Sequence, residues 1–163
     1  MNFNEAKQNM IQSQLRTWDV LDQTVLDTFN LVNRQDFVPK NYKKISYADT
    51  EIPIGSNEKM LNPKLVGRLI QELEIKRSDQ VLQIGTGTGY ITALLGYLGR
   101  YVTSYEINEK INNCALENLN KYSRGNLELK LGNGFEADIS TSAFDCILLA
   151  GSVTYTSEKL KHA

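Results

Sequence analysis

From Gln80 onward the sequence alternates short apolar runs with amphipathic segments, and this alternation constrains the fold more than any other feature. The apolar runs have the length and residue types of strands, whereas the segments between them have the apolar spacing of helices. The predicted strands are 81–85, 101–107, 127–132 and 144–151, and the predicted helices are 89–98 and 109–122. Because strands that alternate with helices build parallel sheets, the sequence predicts an α/β fold with a doubly wound, mainly parallel sheet.

The part of the chain before Gln80 has a different pattern of apolar residues. Apolar residues at helical spacing predict two short amphipathic helices, at 3–18 and 22–32. Few apolar residues alternate between Pro39 and Asn62, which predicts a long irregular loop. Long loops in compact domains tend to be functional, so residues 46–62 are a candidate binding segment, with a plain connector as the alternative.

A third helix is expected to begin after Asn62, a good N-cap, with Pro63 at its first position, and to end near Lys76. Its predicted buried face consists of Leu65, Val66, Leu69, Ile70 and Leu73. We expect one structural domain, in which residues 1–62 supply N-terminal helices and a substrate or cofactor loop and residues 63–163 form the core. The last residues, SEKLKHA, resemble the start of another helix.

Charge and composition exclude several classes of partner. Lys and Arg number 18 and Asp and Glu 19, and neither half of the chain has an excess of one sign. Such a balance lacks the basic field that dominates nucleic-acid and membrane-surface binding, so we expect neither partner. The polar start and the absence of an apolar run of about 18 residues argue against a signal peptide or a membrane span. We therefore expect a cytoplasmic protein, and a monomer.

Cysteine and histidine usage narrows the chemistry. The two cysteines, Cys114 and Cys146, lie in a predicted helix and a predicted strand without CxxC spacing, so we expect neither a metal site nor a disulfide. The only histidine is His162, at the end of the chain. A mechanism that needs an imidazole base in a cleft is therefore disfavoured.

A glycine-rich loop follows the first strand of the predicted sheet. In VLQIGTGTGY, Gly85, Gly87 and Gly89 lie between a strand and a helix, where residues without a Cβ allow a tight turn and close approach of a ligand. Glu106 ends the second strand, about twenty residues after Gly85. An acid at this place can accept hydrogen bonds from ribose hydroxyls. Loop and acid together predict a nucleoside site; the simpler alternative is a structural turn followed by a surface glutamate.

The spacing does not favour a dinucleotide. The NAD fingerprint requires a third glycine where this chain has Tyr90, and no hydride-handling residue is evident. Asn133 and Gly134 follow the third strand at the same edge of the sheet, where the Asn133 amide could face an adenine ring. Asn-Gly also favours turns without any function, and that alternative stays open.

Together these residues resemble a family. VLQIGTGTGY, Glu106, GNGF and FDCILLAG resemble the class I S-adenosylmethionine methyltransferases with their Rossmann-like sheet. More closely, MIQSQLRTWDVLDQTVLDTFNLVNRQDFVPKNY, SYADTEIPIG and NPKLVGRLIQEL are similar to the N-terminal half of the protein-L-isoaspartate O-methyltransferases. The resemblance implies transfer of a methyl group from S-adenosyl-L-methionine to the carboxylate of L-isoaspartyl residues in damaged proteins, the first step of their repair.

The resemblance also implies a set of site residues. The cofactor-binding residues would be Gly85, Thr86, Gly87, Gly89, Glu106, Ile107, Asn133, Gly134 and Met60. On the acceptor side, Leu61 occupies the position of the family's active-site Ser, and Lys59 lies at the start of the same Thr-Ile-Ser-x-Pro pattern. A carboxylate acceptor is already ionised at pH 7, so alignment and desolvation, rather than a general base, would carry the catalysis.

Three positions depart from the family pattern. Gln83 and Asn133 replace acids, and Leu61 cannot donate a hydrogen bond. Family members also continue through further strands, so we expect a sheet truncated at its C-terminal end. A fragment of a longer chain and a sheet edge completed by another chain are the alternatives. The alternative function is therefore a catalytically impaired homologue that binds the cofactor and acts as a binding protein.

Overall fold

The computed structural model describes residues 2–136 and 143–151. The α-helices are α1 (Phe3–Met10), α2 (Gln23–Leu31), α3 (Pro63–Glu72), α4 (Tyr90–Leu98) and α5 (Glu109–Leu119). The strands are β1 (Ile52–Gly55), β2 (Glu58–Met60), β3 (Gln80–Ile84), β4 (Tyr101–Glu106), β5 (Leu127–Leu131) and β6 (Cys146–Leu149). The final predicted helix and His162 lie outside the described residues.

A four-stranded parallel sheet forms the centre of the fold, in the order β5-β4-β3-β6. The chain moves outward from β3 through β4 to β5 and then returns to the other side of β3. The switch point is therefore between β3 and β6, and ligands of such sheets bind in the crevice that opens there. The predicted α/β class and the parallel sheet are confirmed, with strand ends within two residues of their expected positions.

Helix α2 and the segment that follows it pack on α4 and complete the main core. Phe29 of α2 lies 6.2 Å from the ring of Tyr90, edge to face, and Phe37 lies 5.5 Å from the same ring. One buried apolar cluster includes these residues together with Leu94 of α4 and Val81 of β3. The two parts of the chain therefore share a hydrophobic core.

The first predicted helix is helical throughout, but its winding changes. After α1 the chain forms a π-helical turn at Ile11–Leu15 and a 3-10 turn at Arg16–Trp18. Asp19 then adopts a left-handed conformation with φ 57° and ends the helix. The second predicted helix is confirmed as α2, which begins after the N-cap Asp22.

The third helix begins as predicted and ends early. Asn62 caps it by accepting a hydrogen bond from the backbone N–H of Leu65. The predicted end near Lys76 is wrong, because Glu74 has φ 47° and the Lys76 N–H donates to the Asp79 carboxylate in a turn. The prediction of Leu65 as buried is also wrong: the helix packs against Leu15 and Val20 through Gly67, which leaves Leu65 38% exposed.

The stretch predicted as an irregular loop contains regular structure. Residues Lys40–Ile45 form a 3-10 helix, and β1 and β2 pair as an antiparallel hairpin. Ser56 and Asn57 both have positive φ, 52° and 62°, as in the two-residue turns that match the twist of a hairpin. The hairpin within 46–62 was missed, since its strands are short and one contains Pro53.

Candidate active site

The glycine loop turns sharply at the carboxyl end of β3. Gly85, Gly87 and Gly89 have φ of 92°, 57° and 91°, a region that residues with a side chain rarely adopt. The N–H groups of Gly85 and Thr86 both donate to the Tyr105 carbonyl, at 2.9 and 3.1 Å. The loop is thereby held against the end of β4.

Glu106 links the loop to the next strand. It is 7% exposed. Its Oε2 accepts the Gly87 N–H at 2.9 Å, and its Oε1 accepts the Asn108 N–H at 2.9 Å. Because each carboxylate oxygen has two acceptor positions, Glu106 can still accept hydrogen bonds from a ligand. The alternative of a surface glutamate is wrong.

Gln83 supports the loop from below. This fully buried side chain donates from Nε2 to the Gly85 carbonyl at 2.9 Å, and its Oε1 accepts the Thr92 hydroxyl at 2.8 Å. Thr86 likewise turns its hydroxyl into the interior, 2.6 Å from Ser104 Oγ. Gln83 is thus a support of the loop and does not line the cavity described below.

The β1–β2 hairpin lies over the loop as a roof. Ile54 Cδ1 lies 3.7 Å from the place where a Cβ at Gly87 would stand, and Met60 Sδ lies 4.0 Å from Thr88 Oγ1. At the hairpin tip, Asn108 Nδ2 donates to Ser56 Oγ at 2.9 Å. Loop, strand end and hairpin therefore enclose one space.

That space is a cavity of about 370 Å³ at the switch point of the sheet, within the range of small-molecule sites. Ten of the predicted site residues line it: Lys59, Met60, Leu61, Gly85, Thr86, Gly87, Glu106, Ile107, Asn133 and Gly134. Gly89 does not line it. A Cβ at this position would lie 3.0 Å from Leu119, so the glycine allows close packing between α4 and α5.

Sequence reasoning missed other residues of the lining. They include Ile54, Glu58, Thr88, Tyr90, Tyr105 and Ala150. Ala150 follows β6, the strand on the other side of the switch point, and that position was the available signal. Ile54 and Glu58 belong to the hairpin, whose pairing the sequence did not indicate.

Asn133 forms a local turn as well as part of the wall. Its Oδ1 accepts the Phe135 N–H at 3.1 Å, and its Nδ2 donates to Glu136 at 2.9 Å. These bonds favour the turn interpretation and leave one amide hydrogen for a ligand. A Cβ at Gly134 would lie 2.9 Å from Ile84 Cγ1, so a glycine is needed there for packing.

The acceptor-side residues lie at the rim of the cavity. Lys59 Nζ pairs with Glu51 at 3.2 Å, and both side chains are about half exposed. Leu61 is partly buried against the core.

Within residues 2–136 and 143–151, no group of three or more His, Cys, Asp and Glu side chains could hold a metal ion, and both cysteines are free. No helix there is long and apolar enough to span a bilayer.

The sheet order, the glycine loop after β3 and the buried acid at the end of β4 together define a class I methyltransferase fold. The family model for protein-L-isoaspartate(D-aspartate) O-methyltransferase matches residues 5–161. The chain belongs to this family, and the resemblance inferred from the sequence is confirmed.

Individual relatives and structures agree with this assignment. The chain is 33% identical to the protein-L-isoaspartate O-methyltransferase of Petrotoga mobilis, over 98% of the chain and 76% of that protein. It is 33% identical to that of Methanoculleus marisnigri, over 90% of the chain and 66% of that protein. A solved Plasmodium falciparum structure, titled a putative protein-L-isoaspartate O-methyltransferase in complex with S-adenosyl-L-homocysteine, has a TM-score of 0.81 at 20% identity, over 98% of this chain and 78% of that one.

The relatives are longer than this chain. Another solved protein-L-isoaspartate O-methyltransferase has a TM-score of 0.81 at 23% identity and covers 95% of this chain, but the chain covers only 51% of it. Depending on the relative, this chain thus spans about half to three quarters of the relative's own length.

Proposed function

We propose that the chain is an S-adenosyl-L-methionine-dependent protein carboxyl O-methyltransferase that acts on L-isoaspartyl residues of damaged proteins. The family membership supports this assignment, as do the names of relatives that match most of the chain. The observation that carries it is the bond from the Gly87 N–H to the Glu106 carboxylate inside the cavity at the switch point. That bond holds a buried carboxylate, which would bind the ribose, beside a loop that a ligand can approach closely.

The residues around the cavity suit the cofactor. Glu106 would accept hydrogen bonds from the ribose hydroxyls with the acceptor positions that Gly87 and Asn108 leave free. Ile107 is 72% exposed beside it and offers an apolar surface for the adenine ring. Gly85 and Gly87 expose backbone at the cavity wall, and Met60 would contact the cofactor from the hairpin side.

When bound, the cofactor would supply an electrophilic methyl group on a sulfonium. The chain's own contribution is to align the acceptor carboxylate and to keep water out. No side chain needs to remove a proton, because a carboxylate is ionised at neutral pH. The apolar roof and rim, from Ile54, Met60 and Leu61, serve to desolvate the reacting groups.

Lys59 and Leu61 would form the acceptor side of the site. The Lys59 ammonium can attract an acidic peptide, although its exposed pair with Glu51 makes that contribution small. Leu61 offers shape and exclusion of water instead of a hydroxyl. The rim of the site therefore has no side-chain hydrogen-bond donor at position 61.

The test is methyl transfer from labelled S-adenosyl-L-methionine to a synthetic peptide that contains L-isoaspartate, compared with the same peptide containing L-aspartate. The proposal predicts label in the isoaspartyl peptide only, and Leu61→Ser is expected to raise the rate by restoring a hydroxyl. A folded chain that labels neither peptide, with or without that substitution, would overturn the proposal. Equal labelling of both peptides would overturn the assigned acceptor.

A further inference from the structure

Arg34 is a fully buried cation outside the cofactor wall. It lies in a 3-10 turn, Arg34–Asp36, and is 0% exposed. Among the described residues, no carboxylate forms an ion pair with it. Burying an unpaired charge is costly unless strong hydrogen bonds compensate for the lost water. The hydrogen-bond partners of this guanidinium therefore indicate its structural role.

The partners are two backbone carbonyls. Arg34 Nε donates to the Ser46 carbonyl at 2.7 Å, and Nη1 and Nη2 both donate to the Leu61 carbonyl at 3.0 Å. The guanidinium also lies over the Tyr90 ring, 5.3 Å from its centroid. A planar guanidinium has its N–H groups in fixed directions and can hold two carbonyls in one geometry, whereas the three N–H groups of a lysine ammonium lack that fixed fork.

These two carbonyls mark the ends of one segment. Residues 46–61 run from Ser46 through the hairpin roof to Leu61, and they contribute Tyr47, Ile52 and Met60 to the buried core. Arg34 joins the base of this segment, whereas the bond between Asn108 and Ser56 holds its tip. Gln14 also donates to the Tyr47 carbonyl, at 2.9 Å, but of these side chains only Arg34 binds both ends of the segment and reaches the backbone at Leu61.

We propose that Arg34 is a positioning residue that closes residues 46–61 over the cavity and fixes the backbone at Leu61. The proposal rests on the proposed function only in naming the ligand under the roof as an S-adenosyl compound. Burial lowers the pKa of Arg34 to about 10, against the influence of Tyr90 and Asp49, so the side chain stays charged at neutral pH. Its donors are therefore in place under ordinary conditions.

The test compares Arg34→Lys, which keeps the charge but loses the fork, with Tyr122→Phe. Tyr122 makes a matched control because its hydroxyl bonds the Asn33 N–H and Asp36, on the same turn, and not the 46–61 segment. Hydrogen exchange is measured at the hairpin amides of 52–60 and at the sheet amides of 80–84. Arg34→Lys is expected to speed exchange in the hairpin at least about tenfold more than in the sheet, whereas Tyr122→Phe leaves that ratio unchanged.

A second readout is affinity for S-adenosyl-L-homocysteine, which is expected to fall at least about tenfold in Arg34→Lys and to stay within about twofold in Tyr122→Phe. Hairpin and sheet exchange that rise together in Arg34→Lys would overturn the proposal. If the unaltered chain does not bind the ligand, the proposed function fails, but the exchange ratio still decides the role of Arg34.

The unaltered chain offers an independent measurement if Arg34→Lys does not fold. Side-chain NMR should then show a slowly exchanging Arg34 Nε–H and restricted rotation of its guanidinium. Rapid exchange and free rotation would overturn the proposal.

Discussion

At the scale of single residues, the site depends on how Glu106 divides its hydrogen bonds. One oxygen accepts the Gly87 N–H and the other the Asn108 N–H, so the carboxylate both shapes the loop and faces the cavity. Hydrogen bonds to a charged group contribute about 1.5 to 3 kcal/mol each.

Glu106→Gln should therefore weaken binding of S-adenosyl-L-homocysteine at least about tenfold, as measured by calorimetry. Glu109→Gln, an exposed change in the first turn of α5, is the matched control and should leave the affinity unchanged. Equal affinities for the two variants would remove Glu106 from the site.

Gln83 acts on the same loop from its buried side. Gln83→Leu would leave the Gly85 carbonyl and the Thr92 hydroxyl without their partner. The Thr92 hydroxyl is buried and the Gly85 carbonyl is partly buried. An unpaired buried group costs about 1 to 3 kcal/mol, so the free energy of unfolding should fall by about that amount in urea titrations. The neighbouring change Gln80→Leu, at an exposed position of β3, should cost much less. A Gln83→Leu chain as stable as its control would contradict the supporting role.

At the scale of elements, the hairpin roof is tied to the strand-end turn by one exposed hydrogen bond, from Asn108 Nδ2 to Ser56 Oγ. Ser56→Gly removes the hydroxyl and suits the positive φ at this position. A net loss of about 1 kcal/mol predicts release of S-adenosyl-L-homocysteine about fivefold faster, measured by stopped flow. Asn57→Gly relaxes the same turn and keeps the bond, so its release rate should match the unaltered chain. Identical rates in both variants would argue against a closed roof.

The elements also show where sequence reasoning succeeds and where it stops. Helices and parallel strands were predictable because their apolar spacing is regular over many residues. The hairpin was not, since its strands are short and its turn uses Ser56 and Asn57 in place of a typical Asn-Gly pair.

The candidate site was likewise predictable only in part. Gly87 and Glu106 were predictable from their place after two strands, and both line the cavity. The packing role of Gly89 was not, because it depends on the contact of that glycine with Leu119 of α5. The two carbonyls that Arg34 binds likewise depend on tertiary structure.

At the scale of the whole molecule, buried tyrosines join the N-terminal helices to the sheet domain. Tyr122 follows α5, and its hydroxyl donates to Asp36 at 2.8 Å. Burial, together with the nearby Asp36 charge, raises the pKa of Tyr122 to about 12, above the ordinary value of 10.0. The contribution of this tyrosine to stability is therefore full below pH 10 and is lost as the pH rises toward 12, since the unfolded chain releases the proton first.

The stability difference between the unaltered chain and Tyr122→Phe should accordingly be constant below pH 10 and shrink between pH 10 and 12. Urea unfolding at a series of pH values measures it, and the phenylalanine variant controls for the other buried tyrosines. A difference that stays constant up to pH 12 would contradict a protonated, buried Tyr122.

The most direct test of the central claim is a calorimetric titration of the unaltered chain with S-adenosyl-L-homocysteine. It addresses the cavity built by the glycine loop, Glu106 and the hairpin roof, and it requires no choice of methyl acceptor. We expect one site per chain with a micromolar dissociation constant, about −8 kcal/mol. A chain that is folded by circular dichroism and gives no binding heat at several temperatures would contradict it.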